Sequence, residues 1–298
     1  MTFPIIPDLE MATYFSSNVQ RCTTASLAIL VCVFMLQLVS IESHETDLEK
    51  ELLLTYQEKV AFDKFKSQVH RNITHNLMKT DLFMLRWIRA KNLDVHRAVR
   101  DMYDFLDWRK TNRIDSINDE DWSDMIAEHP YRMDVVDLQG RPVGVGSIGG
   151  NWNVRRTVLQ GKLPRLNRYA YKLVEEMFNR VYEINMKQPN VTQFSVIASL
   201  EGFNVFNQGC PLCLTTYVQL LTVYNRFYPN FAHAITAINT PASFSVILDL
   251  LRPMLNKGTS DALKVYGYNQ KQWKEYLDKE VSENQLTEEF GGTRPEDE

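Results

Sequence analysis

The chain has 298 residues, 33 basic against 37 acidic side chains for a net charge of −4, and is 44% hydrophobic and 23% charged. Those values suit one or two globular domains with a sizeable core, and argue against a protein that holds nucleic acid through bulk positive charge. Among four cysteines, Cys22 and Cys32 fall in an apolar N-terminal run, so there is no disulfide framework. Cys210-Pro-Leu-Cys213, lacking a second pair or a nearby His, is a poor metal site, and both residues read as small buried hydrophobes.

Residues 22–41 carry no charge, follow Arg21 and precede an acidic run over 42–51. As a helix they would span about 30 Å, one hydrocarbon thickness. A cleaved signal peptide, a signal-anchor and a transmembrane helix all fit. Arg21 on the N-terminal side weakly places the residues after 42 outside the cytoplasm. The sequons Asn72-Ile-Thr74 and Asn190-Val-Thr192 agree with that placement without deciding it. The chain divides into this N-terminal segment (1–43), a helical domain (44–118), an α/β domain (119–293) and an acidic tail (294–298).

Residues 45–114 read as helical throughout. Leu52 to Val69 is one amphipathic segment, Leu82 to Ala90 a second, and Asn92-Leu93 a turn before a third helix capped by Asp94. Arg86, Arg89, Lys91, Arg97, Arg100, Arg109, Lys110 and Arg113 crowd this region. A solvated face paired with Asp94, Asp101, Asp104 and Asp107 is the expectation; a membrane- or phosphate-facing patch is the alternative.

From residue 130 the pattern changes. Tyr131–Asp137 and Arg141–Ser147 read as strands joined at Leu138-Gln139-Gly140. Gly144-x-Gly146-x-x-Gly149 imitates a dinucleotide fingerprint, but no long helix starts at that turn to hold a pyrophosphate, so it is set aside. A long helix starts near Pro164 and ends near Lys187, with Leu166, Tyr169, Ala170, Leu173, Val174, Met177, Val181 and Ile184 on one face. Then come a buried strand at 192–200, a helix at 212–227, a strand at 233–239, a short strand at 263–266 and a helix at 270–279. Strands alternating with long helices imply a largely parallel sheet.

Residues 241–257 form an unusual helix. Phe244, Val246, Ile247, Leu248, Leu250, Leu251, Met254 and Leu255 cover well over half its circumference, leaving Ser245, Asp249 and Arg252 a narrow strip. A surface helix needs only about 100° of apolar stripe. Pro253 should kink the rod by removing the bond to the Asp249 carbonyl. Such a segment is either a core helix or a lid over a greasy pocket. No G-x-S-x-G and no H-E-x-x-H occurs, and the six histidines lack metal-ligand spacing, so no enzyme is expected.

FMLRWIRAKNLDVHRA with WRKTNRID, then DLQGRPV, FYPN, NTPASFSVILDLLRPML and EEFGGT, resemble in order the landmarks of the CRAL-TRIO (Sec14-like) lipid-binding family, from about Leu54 to Thr293. The nearest likeness is to Sec14-like proteins related to supernatant protein factor. The chain ends six residues after Gly292, so the C-terminal β-sandwich of some of these is not expected. The resemblance implies a helical N-terminal domain, then a sheet flanked by helices, with an apolar pocket closed by a mobile gate helix at 241–257.

It further implies a monomer that binds and transfers a hydrophobic small molecule or lipid at membrane surfaces. No cofactor, no nucleic acid and no metal are implied, and the place is cytoplasmic unless 22–41 anchors the chain or sends it to the secretory pathway. The expected lining is Val196 and Ala198 on the floor, Tyr217, Tyr224 and Phe227 at the side, and Phe244, Ile247, Leu248, Leu251, Met254 and Leu255 from the gate. Relatives that transfer phosphatidylinositol carry charged or hydroxyl partners where this chain has Phe194, Val196, Ser199, Asn230 and Ala262. An inositol phosphate would therefore be buried unpaired, which is costly. A neutral or weakly polar lipid, or the acyl chains of a phospholipid, fits better.

Overall fold

The structure, a computed structural model, describes residues 47–296; the apolar run 22–41 lies outside the described residues. The chain opens with α1 (Asp47–Leu52) and α2 (Tyr56–Val69). These are separate helices because Thr55 caps the second: its hydroxyl accepts from the Glu58 N–H, and the Glu58 carboxylate accepts from the Thr55 N–H at 2.8 Å. Next come α3 (Asp81–Ala90) and α4 (Val95–Thr111), divided by Asn92 and Leu93, both with positive φ. Asp94 caps α4 by accepting from the Arg97 N–H.

Three of the basic residues, Arg86, Lys91 and Arg109, are buried and paired, and of the expected carboxylates Asp101 is the one that takes part. Arg86 bonds Glu51 and the Thr192 carbonyl, Arg89 bonds Glu58, and Lys91 meets Asp101 at 3.1 Å with both side chains buried. Arg109 forks onto Glu175 and also reaches Asp115. Fixing these cations from several elements at once requires tertiary contacts that helical spacing does not reveal. The buried half of the cluster is therefore structural, while Arg97, Arg100, Lys110 and Arg113 keep the solvated face that was expected, Arg97 within 3.9 Å of Asp101.

After the short helix α5 (Ser123–Glu128), β1 (Arg132–Val136) and β2 (Pro142–Ser147) form an antiparallel hairpin. The chain continues through α6 (Ile148–Asn151), α7 (Val154–Leu159) and the long α8 (Leu163–Asn185) to β3 (Phe194–Ser199). It then runs through α9 (Val205–Gln208), α10 (Pro211–Phe227) and β4 (Ala232–Ile238). Finally come α11 (Phe244–Leu251), α12 (Lys257–Ala262), β5 (Leu263–Val265) and α13 (Gln270–Glu280). The five-stranded sheet has order β1-β2-β3-β4-β5, parallel from β2 onward.

One hydrophobic core runs from Ala61 of α2 to Ala262 of α12, so helical and α/β portions share a single interior, and residues from Asp47 onward form one compact unit. Glu175 binds them together: buried on α8, it accepts from Arg109 of α4 and from the Tyr228 hydroxyl at 2.8 Å. A second core on the opposite sheet face seats Val143, Val145 and Ile197 against Trp273 and Leu277 of α13.

Two expectations need correction. Cys210 and Cys213 are buried, but as a disulfide and not as free thiols. Cys210 caps α10, its Sγ accepting from the Cys213 N–H, and this first turn brings the two Cα atoms to 4.9 Å, within bridging reach. The segment 241–257 is likewise no continuous kinked rod. The α-helix ends at Leu251, Arg252–Met254 tighten into a 3-10 turn around Pro253, and Leu255 is extended. A proline that cannot continue the i−4 ladder ends this helix instead of bending it.

Candidate functional site

Between the sheet and helices α8 and α10 lies a cavity of about 340 Å³. Its floor follows from the alternation of strand side chains. In β2, Val143 and Val145 point to the α13 core while Gly144 and Gly146 line the cavity. In β3, Ile197 joins the α13 core, while Phe194, Val196 and Ala198 belong to the cavity wall. A Cβ on Gly146 would meet only ordinary contacts, the nearest 3.7 Å away, so the space is left by missing side chains. Gly149, the last glycine of the apparent fingerprint, has a packing reason instead. A Cβ there would lie 2.4 Å from the Glu201 carbonyl oxygen.

The roof repeats one pattern on two helices. Ala170, Leu173, Val174 and Met177 of α8, and Tyr217, Leu220, Leu221 and Tyr224 of α10, each recur at i, i+3, i+4 and i+7, which is one helical face. Ile148, Trp152, Met133, Tyr131, Ile235 and Thr259 complete most of the wall. No charged side chain lines it.

Of the expected lining, Val196, Ala198, Tyr217 and Tyr224 sit on the wall. Phe227 does not: it packs between Phe105 and Trp108 of α4, with ring centroids 5.2 Å apart in both cases. One helical turn carries it past the cavity into the contact between α10 and the helical region. Nor does α11 supply the wall. Ile247, Phe244 and Leu251 pack on a separate small core of Leu200, Phe203 and Ala237. Leu248, Met254 and Leu255 are partly exposed and also off the wall. The helix is too short, and seated too far along the sheet's C-terminal edge, to lie over the hollow. The two sites touch through Ile148, which belongs to both the cavity wall and the α11 contact.

Among the residues that sequence reasoning missed, including Leu220, Leu221, Trp152 and Ile148, the most telling are Gly144, Gly146 and the α8 face. Their signals were present: a Val-Gly-Val-Gly alternation and an apolar stripe that read equally well as solid core.

Polar groups of the wall are nearly all satisfied within the protein. The Trp152 indole N–H donates to the Pro130 carbonyl at 2.9 Å, and the Thr259 hydroxyl to Asn225 Oδ1 at 2.9 Å. The Tyr131 hydroxyl donates to Glu176 and contacts Lys172; burial and then that carboxylate hold its phenol far above the ordinary range. The Tyr224 hydroxyl accepts from the Ala232 N–H at 2.9 Å, and burial raises its pKa too. The wall is thus a neutral, apolar surface fit to enclose hydrocarbon and unfit for an ion.

Residues 128–292 match the CRAL/TRIO domain. The chain belongs to the CRAL/TRIO family. Family members bind lipids or hydrophobic small molecules. Similar proteins include the CRAL-TRIO domain-containing protein T23G5.2 of Caenorhabditis elegans, 22% identical over 77% of this chain and 32% of its own length. The phosphatidylinositol/phosphatidylcholine transfer protein SFH7 of Arabidopsis thaliana is 25% identical over 62% of this chain and 34% of its own. Patellin-4, also of Arabidopsis thaliana, is 25% identical over 73% and 39% respectively. The chain thus spans about a third of the length of these curated relatives. The crystal structure of Sfh5 shares the fold, with a TM-score of 0.64 at 15% identity over 82% of this chain and 90% of that one. The narrower likeness to relatives of supernatant protein factor rests on the sequence motifs alone.

Proposed function

We propose that this chain binds one hydrophobic molecule in the cavity between the sheet and α8/α10 and moves it between membranes, without chemistry. The uncharged wall around about 340 Å³ carries this reading, since that volume lies within the usual range for small-ligand sites. At ~24 cal/mol per Å³, an empty apolar hollow of that size would cost roughly 8 kcal/mol. That rivals the ~5–15 kcal/mol stability of a whole domain. A lipid offsets the cost, and the same figure explains why the protein would carry one through purification.

The path for the ligand is the α11 segment. Only Ile247 of this helix is buried, while Val246 and Leu250 are more than half exposed. The α9/α10 turn beside it adds exposed Phe206 and Leu212, and Gly209 in that turn is held against Ile247 Cδ1, since a Cβ on it would lie 2.9 Å away. An apolar surface of this kind seeks a bilayer. Lifting α11 at the membrane would uncover Ile148 and with it one end of the cavity. Transfer of phosphatidylinositol, the activity in SFH7's name, is disfavoured here. A headgroup phosphate would meet Phe194 and Val196 and no cation.

Organic extraction of the full chain, followed by mass spectrometry, tests the binding: one apolar lipid per folded protein is expected, and folded protein free of lipid rejects it. Replacing Leu250 by Glu should slow transfer between vesicles while leaving the extracted lipid unchanged. A second reading concerns place. The Cys210–Cys213 disulfide favours the oxidising side of a membrane, and the sequon residues Asn72 and Asn190 are both exposed. A mass shift on treatment with an N-glycan-removing enzyme would place the domain there; an unmodified, reduced protein would place it in the cytoplasm.

A further inference from the structure

The Cys210–Cys213 bridge is poorly suited to holding the fold together. It joins residues three apart within one helical turn, and a bridge gains stability from the length of chain it closes. Its setting is that of an exchange pair instead. Cys-Pro-Leu-Cys opens α10, the 17-residue crossover helix between the parallel strands β3 and β4, and a C-x-x-C at that point of a βαβ unit suits dithiol chemistry. The two sulfurs are unequal. Cys213 is fully buried, while Cys210 is 8% exposed and sits between half-buried Gly209 and exposed Pro211. Cys210 Sγ also accepts from the Cys213 N–H at 3.2 Å, and that N–H with the helix N-terminus favours a negative sulfur there once the bridge is open.

The pair is also placed to act on α11. Gly209, the residue before Cys210, lies against Ile247, the one buried residue of that helix. On its other side Cys213 is packed with Val154, Val158 and Leu166. Two thiol sulfurs cannot sit as close as two bonded ones, and Cys213 has no room to retreat. The displacement on reduction therefore falls on Cys210 and on the α9/α10 turn that holds Ile247.

We propose that Cys210–Cys213 is a thiol–disulfide exchange site: a dithiol opens the bridge by attack at Cys210, and opening it loosens α11. One thiolate of the dithiol bonds Cys210 Sγ and expels Cys213 as a thiolate, which is then protonated. The dithiol's second thiolate attacks its own bridged sulfur, releases Cys210 and leaves the reductant as a disulfide. Two electrons and two protons pass from the dithiol to the pair. Faster exchange of bound lipid follows, and that consequence alone rests on the lipid-binding reading above.

The test treats the folded full chain with dithiothreitol, quenches with iodoacetamide and weighs the tryptic peptide that holds both cysteines. Two added alkyl groups with an unchanged far-UV circular dichroism spectrum are expected; a bridge that yields only after urea unfolding overturns the proposal. Glutathione disulfide then reads the direction of attack. Cys213→Ala should trap glutathione on Cys210, while Cys210→Ser should leave Cys213 without it. Equal adducts in both variants, or none in either, overturn the role of Cys210. Should a variant misfold, limited alkylation of the reduced natural protein decides: Cys210 modified first supports the assignment, and Cys213 first refutes it. Amide hydrogen exchange over residues 244–251 should speed about tenfold on reduction. An unchanged rate refutes the loosening of α11. Faster exchange there, with unchanged release of a fluorescent fatty-acyl probe, keeps the redox site and rejects α11 as the path of the ligand.

Discussion

The two faces of the sheet are made from the same strands and packed in opposite ways. Toward α13 they present Val143, Val145, Ile197 and Ile238, filled in by Trp273, Leu277, Val281 and Phe290. Toward α8 and α10 they present Gly144, Gly146, Val196 and Ala198, and about 340 Å³ is left over. A strand's period of two lets one sequence hold both, since each residue type is dealt to a single face. Solidity on one side makes hollowness on the other tolerable, because the α13 face is filled and wall residues such as Met177, Phe194 and Tyr224 are anchored from behind in the core beneath α2 to α4.

Each prediction probes this contrast, the largest effect first. Trp273 is buried, with its indole N–H on Asn239 Oδ1 at 3.1 Å. Replacing it by Ala should cost about 3–5 kcal/mol in urea unfolding. A loss below about 1 kcal/mol would mean that the filled face is not what holds the sheet.

Next is the solid side of α8, where the His75 ring lies against Phe178 and Tyr182, 5.0 and 4.9 Å between centroids. Burial, reinforced by Arg109, lowers its pKa from 6.5 to about 4. A depressed folded-state pKa means that the neutral form is favoured. That contribution is complete above pH 6.5 and lost as pH falls toward 4, about 2 kcal/mol in all once solvent screening of the half-buried ring is allowed for. Thermal melts across this window should show the loss, and His75→Phe should flatten it. A natural protein whose melting temperature is constant over the window would contradict the burial of the ring.

Leu173, only partly buried because its side chain borders the hollow, should cost about 1 kcal/mol or less as Ala, well under a fully packed leucine. The smallest effect on stability belongs to Gly146→Val, within about 0.5 kcal/mol, since a Cβ there meets only ordinary contacts, 3.7 Å from Tyr131 and 3.9 Å from Pro130, beside the hollow. It should nonetheless lower the lipid recovered by extraction. Unchanged lipid content in that variant would show that the ligand does not occupy this part of the cavity.

Much of the architecture was legible beforehand. Helix periodicity, the Asp94 cap, the hairpin around Gly140 and the order of strands and helices all reflect local rules, and local rules are carried by neighbouring residues. The α13 core could likewise be read from the buried strands and the last amphipathic helix. The oversized apolar surface of 241–257 was also real, and it survives as the exposed Val246 and Leu250.

What the chain order could not reveal is which surfaces meet. Whether Ala170, Leu173, Val174 and Met177 press on solid core or border a void depends on how far α8 stands from Gly144 and Gly146. That distance is set by every residue packed behind both. The same holds for Phe227, one turn beyond Tyr224 yet committed to α4, and for Arg109, whose partner Glu175 lies 66 positions away. Sequence by itself determined the long helices, the strands, their order and the family; tertiary packing decided where the hollow lies, because a void is the space left by contacts that residues distant in the chain make with one another.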